Sequence, residues 1–329
     1  MSSLLVLLSL VALSSAAYDP VQSLEYAFAC KLAHCDPSLI QSWSCGDACT
    51  NLTGYTNFYS QIVDVSKNET LAFTMISNAD EKKFVIAYRS TVGNHQTLLE
   101  ILQSGPTTYE LTNITGGMVM SYFYTHYVKY LRPIVIPKLK EAYAAFPDYT
   151  FVFSGHSLGA ALTTLTAFDT LTQGIVPRNQ SIMYNFGSPR VVNYKLAQAI
   201  EEIIPEIYRI THWKDIVPHI PLCKVNSTTK ICDTGSSSSS FGGGETIAKW
   251  PSYHVGGEAF YNEDSSQFIL CDHAEDPKCA NQFNLLQTSS GYHWDYINVF
   301  MACNGTTPEQ LFGLKSPNVR GAGPSHIAY

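Results

Sequence analysis

The segment Phe151-Val152-Phe153-Ser154-Gly155-His156-Ser157-Leu158-Gly159-Ala160 holds the residues best suited to chemistry. An apolar, β-prone run passes through Gly-x-Ser-x-Gly into an Ala/Leu-rich helical sequence. A serine at such a strand-to-helix turn is held in a strained conformation that lifts its Oγ out of the sheet. The flanking glycines leave room where any Cβ would meet neighbouring backbone. The helix that follows points its first N–H groups at the same spot, which favours negative charge developing there. The spacing therefore predicts attack by Ser157 on an acyl carbonyl, with the N–H of Leu158 as one oxyanion donor.

A serine hydroxyl is a weak nucleophile until an imidazole accepts its proton, and the imidazole needs a carboxylate to fix its tautomer. On a turn of this type the acid and then the histidine follow the serine in the chain. Asp215 lies just beyond a β run at 207–212, which places it on the sheet edge that carries Ser157, at the carboxyl ends of the strands. The competing reading of Asp215 is a loop cap beside Pro218. Two histidines are candidates for the base. His293 sits in Gly291-Tyr292-His293-Trp294-Asp295-Tyr296, ahead of a short apolar stretch read as a helix, and His254 sits in Tyr253-His254-Val255-Gly256-Gly257-Glu258. His156 adjoins the nucleophile but points elsewhere, because neighbours on a tight turn diverge. His212 and His219 flank Asp215 and are either supporting groups or ordinary strand-end histidines.

The elements that must position these residues alternate. A helix is expected at 21–32 and strands at 71–76 and 84–88, parted by the turn-forming Asn78-Ala79-Asp80. The stretch 119–146 reads as helical, with Pro133 and Pro137 kinking or splitting it. Then come a strand at 150–154, a helix at 160–173 stopping at Gly174, a strand at 181–186, a helix at 194–204 and the strand at 207–212. This βα alternation predicts an α/β fold with a mostly parallel central sheet and helices on both faces. The Ser/Gly-rich stretch 233–244 is of low complexity and reads as a surface loop. No repeat or domain boundary interrupts 18–329.

Composition bounds the partners. Apolar residues make up 45% and charged residues 14%, the balance of a chain with a packed core, and the net charge of −7 argues against a nucleic-acid partner. Residues 1–17 combine an apolar run, Leu4 to Leu13, with small residues at 15 and 17, which suits a cleaved signal peptide. No later segment has the length of a transmembrane anchor. Six Asn-x-Ser/Thr sites, at Asn51, Asn68, Asn113, Asn179, Asn226 and Asn304, and nine cysteines agree with a secreted, extracellular location. The cysteines lack the spacing of a metal site, so disulfides are expected, and the odd count leaves at least one thiol unpaired or intermolecular. The scheme needs no cofactor and no metal.

Taken together, Gly-His-Ser-Leu-Gly, then Tyr184-Asn185-Phe186-Gly187-Ser188-Pro189-Arg190-Val191, then Tyr208-Arg209-Ile210-Thr211-His212 leading to Asp215-Ile216-Val217-Pro218, resemble the class 3 (fungal-type) lipases. The cysteine- and sequon-rich elaboration is similar to that of secreted animal members, nematode ones in particular. The resemblance implies an α/β-hydrolase fold and a serine hydrolase of carboxylic esters, acting on lipid or small ester substrates at a lipid–water interface. Triacylglycerols are the first expectation, and a phospholipase A1 or a feruloyl-type esterase the alternatives. An inactive hydrolase fold serving as a lipid-binding or adhesion module is the alternative of another class. The resemblance makes Asp215 the triad acid and favours His293 over His254 as the base. It makes Thr91 the second oxyanion donor, in Tyr88-Arg89-Ser90-Thr91, where Ser90 stands in place of the usual Gly. It also places a lid at Leu98, Leu99, Ile101 and Leu102, and many members carry His where Met120 stands. By the same analogy Cys30 pairs with Cys303, while Cys223–Cys232 and Cys271–Cys279 are natural local pairs.

Overall fold

The computed structural model describes residues 18–67, 69–90, 104–226, 232–233, 240–241, 245–246 and 251–303, with the backbone alone at 224–225 and in the three short pieces between 232 and 246. The expected signal segment 1–17, Thr91, the lid positions Leu98, Leu99, Ile101 and Leu102, the glycosylation sites Asn68 and Asn304, and most of the 233–244 stretch lie outside the described residues.

Eight strands form the central sheet, and their spatial order is their chain order. They are β1 (Tyr55–Ser66), β2 (Glu69–Asn78), β3 (Lys83–Tyr88), β4 (Thr150–His156), β5 (Ser181–Phe186), β6 (Glu206–His212), β7 (Gly257–Tyr261) and β8 (Phe268–Leu270). The run from β3 to β7 is parallel, and β1, β2 and β8 pair antiparallel at the two ends. Four longer helices accompany the sheet: α1 (Pro20–Leu32), α2 (Arg132–Ala145), α3 (Leu158–Thr172) and α4 (Tyr194–Ile203). A parallel strand must be reached by a crossover, and crossovers of one hand between sequential strands stack their helices on one face. Accordingly Phe84, Ile86, Phe151 and Phe153 pack under α2, α3 and α4, through Leu139, Leu165 and Leu196 among others. The alternate side chains Val85, Ala87 and Val152 face α1 and the C-terminal residues Trp294–Met301. Period-two alternation thus divides the interior into two cores, one for each face.

Local chemistry explains the helix boundaries. Asp19 caps α1 by accepting from the Val21 N–H at 2.8 Å, with Pro20 at the first helical position. Asn193 caps α4 through the Leu196 N–H at 3.1 Å. The expected helix over 119–146 is divided. Met118–Met120 is a strand in a small second sheet, Ser121–His126 is helical, and Tyr127–Leu131 is a π turn immediately before Pro133 and α2. Proline has no N–H to return to the preceding turn, so the ladder widens there. Pro137 lies within α2 itself.

Disulfides join Cys35 to Cys303, Cys45 to Cys49 and Cys271 to Cys279, and Cys223 is also disulfide-bonded. The side chain of Cys232 is outside the described residues. The expected Cys30–Cys303 pair is therefore corrected. Cys30 is on the inward face of α1, a free and buried thiol 3.1 Å from Ser154 Oγ, whereas Cys35 follows the helix where the chain turns toward the C-terminal segment. Sequence proximity of the two cysteines hid which one the helix face turns inward. Among the described Asn-x-Ser/Thr asparagines, Asn51, Asn113 and Asn179 are exposed. No helix among the described residues is long and apolar enough to cross a membrane.

Candidate active site

Strand β4 runs into the turn that carries Ser157, and α3 begins at the next residue. Ser157 has φ 60° and ψ −123°, a conformation L-residues rarely adopt, and its N–H donates to Phe186 O at 2.9 Å. Two close approaches require the glycines. A Cβ on Gly155 would lie 2.3 Å from Gly159 O, and a Cβ on Gly159 would lie 2.4 Å from Tyr88 O and 2.7 Å from Arg89 O. The start of α3 is thereby pressed against the end of β3. Leu158 is the first residue of α3, where helix geometry offers no internal acceptor for its N–H.

Three residues past the end of β6, Asp215 is buried with 1% of its surface exposed. Its Oδ1 accepts from the Val217 N–H at 2.9 Å, and its Oδ2 accepts from His293 Nδ1 at 2.8 Å and from the Tyr296 hydroxyl. His293 lies on the 3₁₀ turn Ser290–Trp294, which Ser289 caps. Ser289 also forms a bridge to Asp215, its N–H donating to Lys214 O at 2.8 Å. With Nδ1 committed to the carboxylate, a neutral His293 leaves Nε2 free to accept a proton. A short hairpin, Asp295–Tyr296 with Val299–Phe300, follows His293 in place of the expected helix. This hairpin carries Tyr296 back over Asp215.

The two halves of the site meet through His156. Its ring centroid is 4.6 Å from that of His293, and its Nε2–H donates to His293 O at 2.8 Å. Burial foremost, and then the neighbouring His293 and His34, hold the His156 pKa well below the usual imidazole range. His156 thus packs beside the nucleophile as a neutral ring. Ser157, the residue after it, is 9% exposed.

His254, the alternative base, is elsewhere. Its Nε2 donates to Pro218 O at 2.8 Å and its N–H to Glu275 Oε1 at 3.0 Å, and burial drives its pKa well down. It belongs to an interior ionic group in which Arg190 grips Glu275 at 2.9 and 2.7 Å and Arg209 pairs with Glu258 at 2.8 Å. His212 supports the site, its two ring nitrogens each 3.1 Å from a carbonyl oxygen, those of Tyr292 and Glu263. Burial and then Arg190 bring the His219 pKa down to about 4.

Among the described residues, Glu258, Cys271 and Cys279 have ligand-like spacing, but both sulfurs are joined in a disulfide and Glu258 is paired. Thiolate is the form that binds a metal, so this donor set offers none. Reading the sequence alone missed Tyr296 and His34. Tyr296 stands three residues after His293, within the same aromatic block, and that spacing was its signal. His34 had none, because its partner is remote in the chain.

Comparison with known proteins bears on the fold and the kind of reaction. The family pattern "Lipase (class 3)" matches residues 85–225. "Lipase ZK262.3" of Caenorhabditis elegans is 27% identical over 255 residues, 74% of this chain and 68% of that protein. The "Secreted mono- and diacylglycerol lipase A" of Penicillium cyclopium is 42% identical over 94 residues, 29% of this chain and 30% of its own length. The structure of the Rhizomucor miehei lipase propeptide complex superposes with a TM-score of 0.69 over 85% of this chain and 80% of that one, at 19% identity, which speaks for the fold. With the α/β-hydrolase sheet in place and the class 3 pattern spanning the segments that carry Ser157 and Asp215, the chain is similar to the class 3 lipases and is a carboxylic ester hydrolase.

Proposed function

We propose that this protein is a secreted acylglycerol lipase working through an acyl-enzyme, with triacylglycerols as its first substrates. The observation that carries the mechanism is the 2.8 Å bond from His293 Nδ1 to Asp215 Oδ2, beside the strained turn that presents Ser157. As Ser157 Oγ attacks the ester carbonyl, His293 Nε2 takes its proton. Asp215, held by Val217 and Tyr296, keeps the imidazole in the required tautomer and stabilises the imidazolium. The N–H groups of Leu158 and Thr91 hold the oxyanion, and His293 returns the proton to the leaving alcohol. Water then attacks the acyl-enzyme with His293 as base. The names of the relatives support a glyceride substrate, and the signal-like segment and the exposed glycosylation sites support export.

Ser157→Ala should abolish p-nitrophenyl ester hydrolysis, by roughly 10⁴-fold or more, while the fold survives. Retained turnover removes Ser157 from the mechanism. A panel of triacylglycerol, diacylglycerol and phosphatidylcholine vesicles then tests the substrate, and a preference for phosphatidylcholine would overturn the glyceride assignment.

A further inference from the structure

The six residues from Cys30 to Cys35 touch the strand that leads to Ser157, the end of β3 and the C-terminal segment beyond His293. Cys30 Sγ lies 3.1 Å from Ser154 Oγ on β4, three residues before Ser157. His34 Nε2 lies 2.7 Å from Ser90 Oγ, at the end of β3, and the His34 ring centroid is 6.4 Å from that of His156. Cys35 is bonded to Cys303, beyond the hairpin that follows His293. Ser90 matters most among these contacts, because Tyr88 and Arg89 just before it press their carbonyls on Gly159 and so meet the turn of Ser157 and Leu158. Arg89 is tied on its other side to Thr70 O at 2.8 Å and Thr70 Oγ1 at 2.7 Å.

The chemistry of the His34 link is directional. Nδ1 is 3.0 Å from the carbonyl of Cys30, which can only accept, so Nδ1 carries the hydrogen. Burial, and after it the Arg89 guanidinium, brings the His34 pKa down to about 3, so the ring is neutral at working pH. Nε2 is then a bare acceptor, and the Ser90 hydroxyl donates to it. The side chain at the end of β3 is thus locked by a group that cannot reverse its role.

We infer that His34 is a positioning residue for ester hydrolysis, fixing through Ser90 the segment that leads from β3 toward the oxyanion donor and packs on the nucleophile turn. This rests on the mechanism proposed above. The link acts on charge development rather than on substrate affinity, so its loss lowers kcat and leaves KM in place.

Substitutions at 34 separate the two bonds. Asn places its amide where Nδ1 stands and keeps the Cys30 contact, while Gln reaches the position of Nε2 and restores an acceptor for Ser90. His34→Asn and Ser90→Ala should each lower kcat about 10-fold, with KM within about twofold, and His34→Gln should recover most of the rate. The rate of phosphonylation of Ser157 by a fluorophosphonate should fall in parallel. Adding His34→Asn to Ser90→Ala should cost nothing further. Thermal melts serve as the control for folding. The inference is overturned if His34→Asn keeps full kcat, if His34→Gln falls as far as His34→Asn, or if the losses at 34 and 90 add in full. Retained turnover in Ser157→Ala would instead remove the underlying mechanism, and the inference with it.

Discussion

One carboxylate gathers three donors: the Val217 N–H, the His293 imidazole and the Tyr296 hydroxyl all converge on Asp215, which has almost no solvent to share them with. A hydrogen bond to a charged, buried acceptor contributes about 1.5–3 kcal/mol, and Tyr296 is itself fully buried. Tyr296→Phe keeps the ring that packs on His156 and His212 and deletes only the donor. Stability should therefore drop by about that amount in a urea titration; an unchanged midpoint would show that the hydroxyl does not stabilise the site. Ser157, Asp215 and His293 stand out in the sequence because each lies in a local pattern dictated by its own turn or strand end, and the structure joins Asp215 to His293 and holds Ser157 on a strained turn. Tyr296 left only its spacing from His293 as a trace, and His34 left none, because the bond to Ser90 joins residues remote in the chain.

Among the elements, those with strong periodicity matched the expectation closely. The strand expected at 181–186 is β5, and α3 and α4 fall within two residues of their expected ends. Strand β1 was not legible. It is polar along much of its length, lies at the sheet edge and has register shifts at Asn57/Tyr59 and Asp64/Ser66, so no clean alternation survives. The contact between α3 and β3 yields a prediction of its own. Gly159→Ala inserts a methyl 2.4 Å from the Tyr88 carbonyl and must push the helix away from the strand. Overpacking of this kind costs about 1–3 kcal/mol, and because Ser157 and Leu158 ride on the displaced end, hydrolysis should fall more than stability does. Equal kcat in the variant and the parent, measured on a p-nitrophenyl ester, would show that the close approach is dispensable.

At the scale of the whole molecule, the interior holds imidazoles that stay uncharged. His156 and His254 have pKa values well below the usual range, mainly through burial, and His219 is brought down to about 4. Unfolded, each titrates near 6.5. Between those values the unfolded chain binds protons that the folded one does not, so stability is full above about pH 6.5 and is lost as pH falls toward the folded values. Each imidazole can withdraw up to about 1.4 kcal/mol per pH unit in that window. Urea midpoints at pH 7.5 and 5.5 check this, and a midpoint that holds or rises on acidification would contradict it. The Cys35–Cys303 bond has a different reach. Joined across a separation of 268 residues, it turns nearly the whole described chain into a covalent circle. A protease that cuts the backbone once inside that circle opens it without releasing a fragment, so a single nick leaves Ser157, Asp215 and His293 on one molecule.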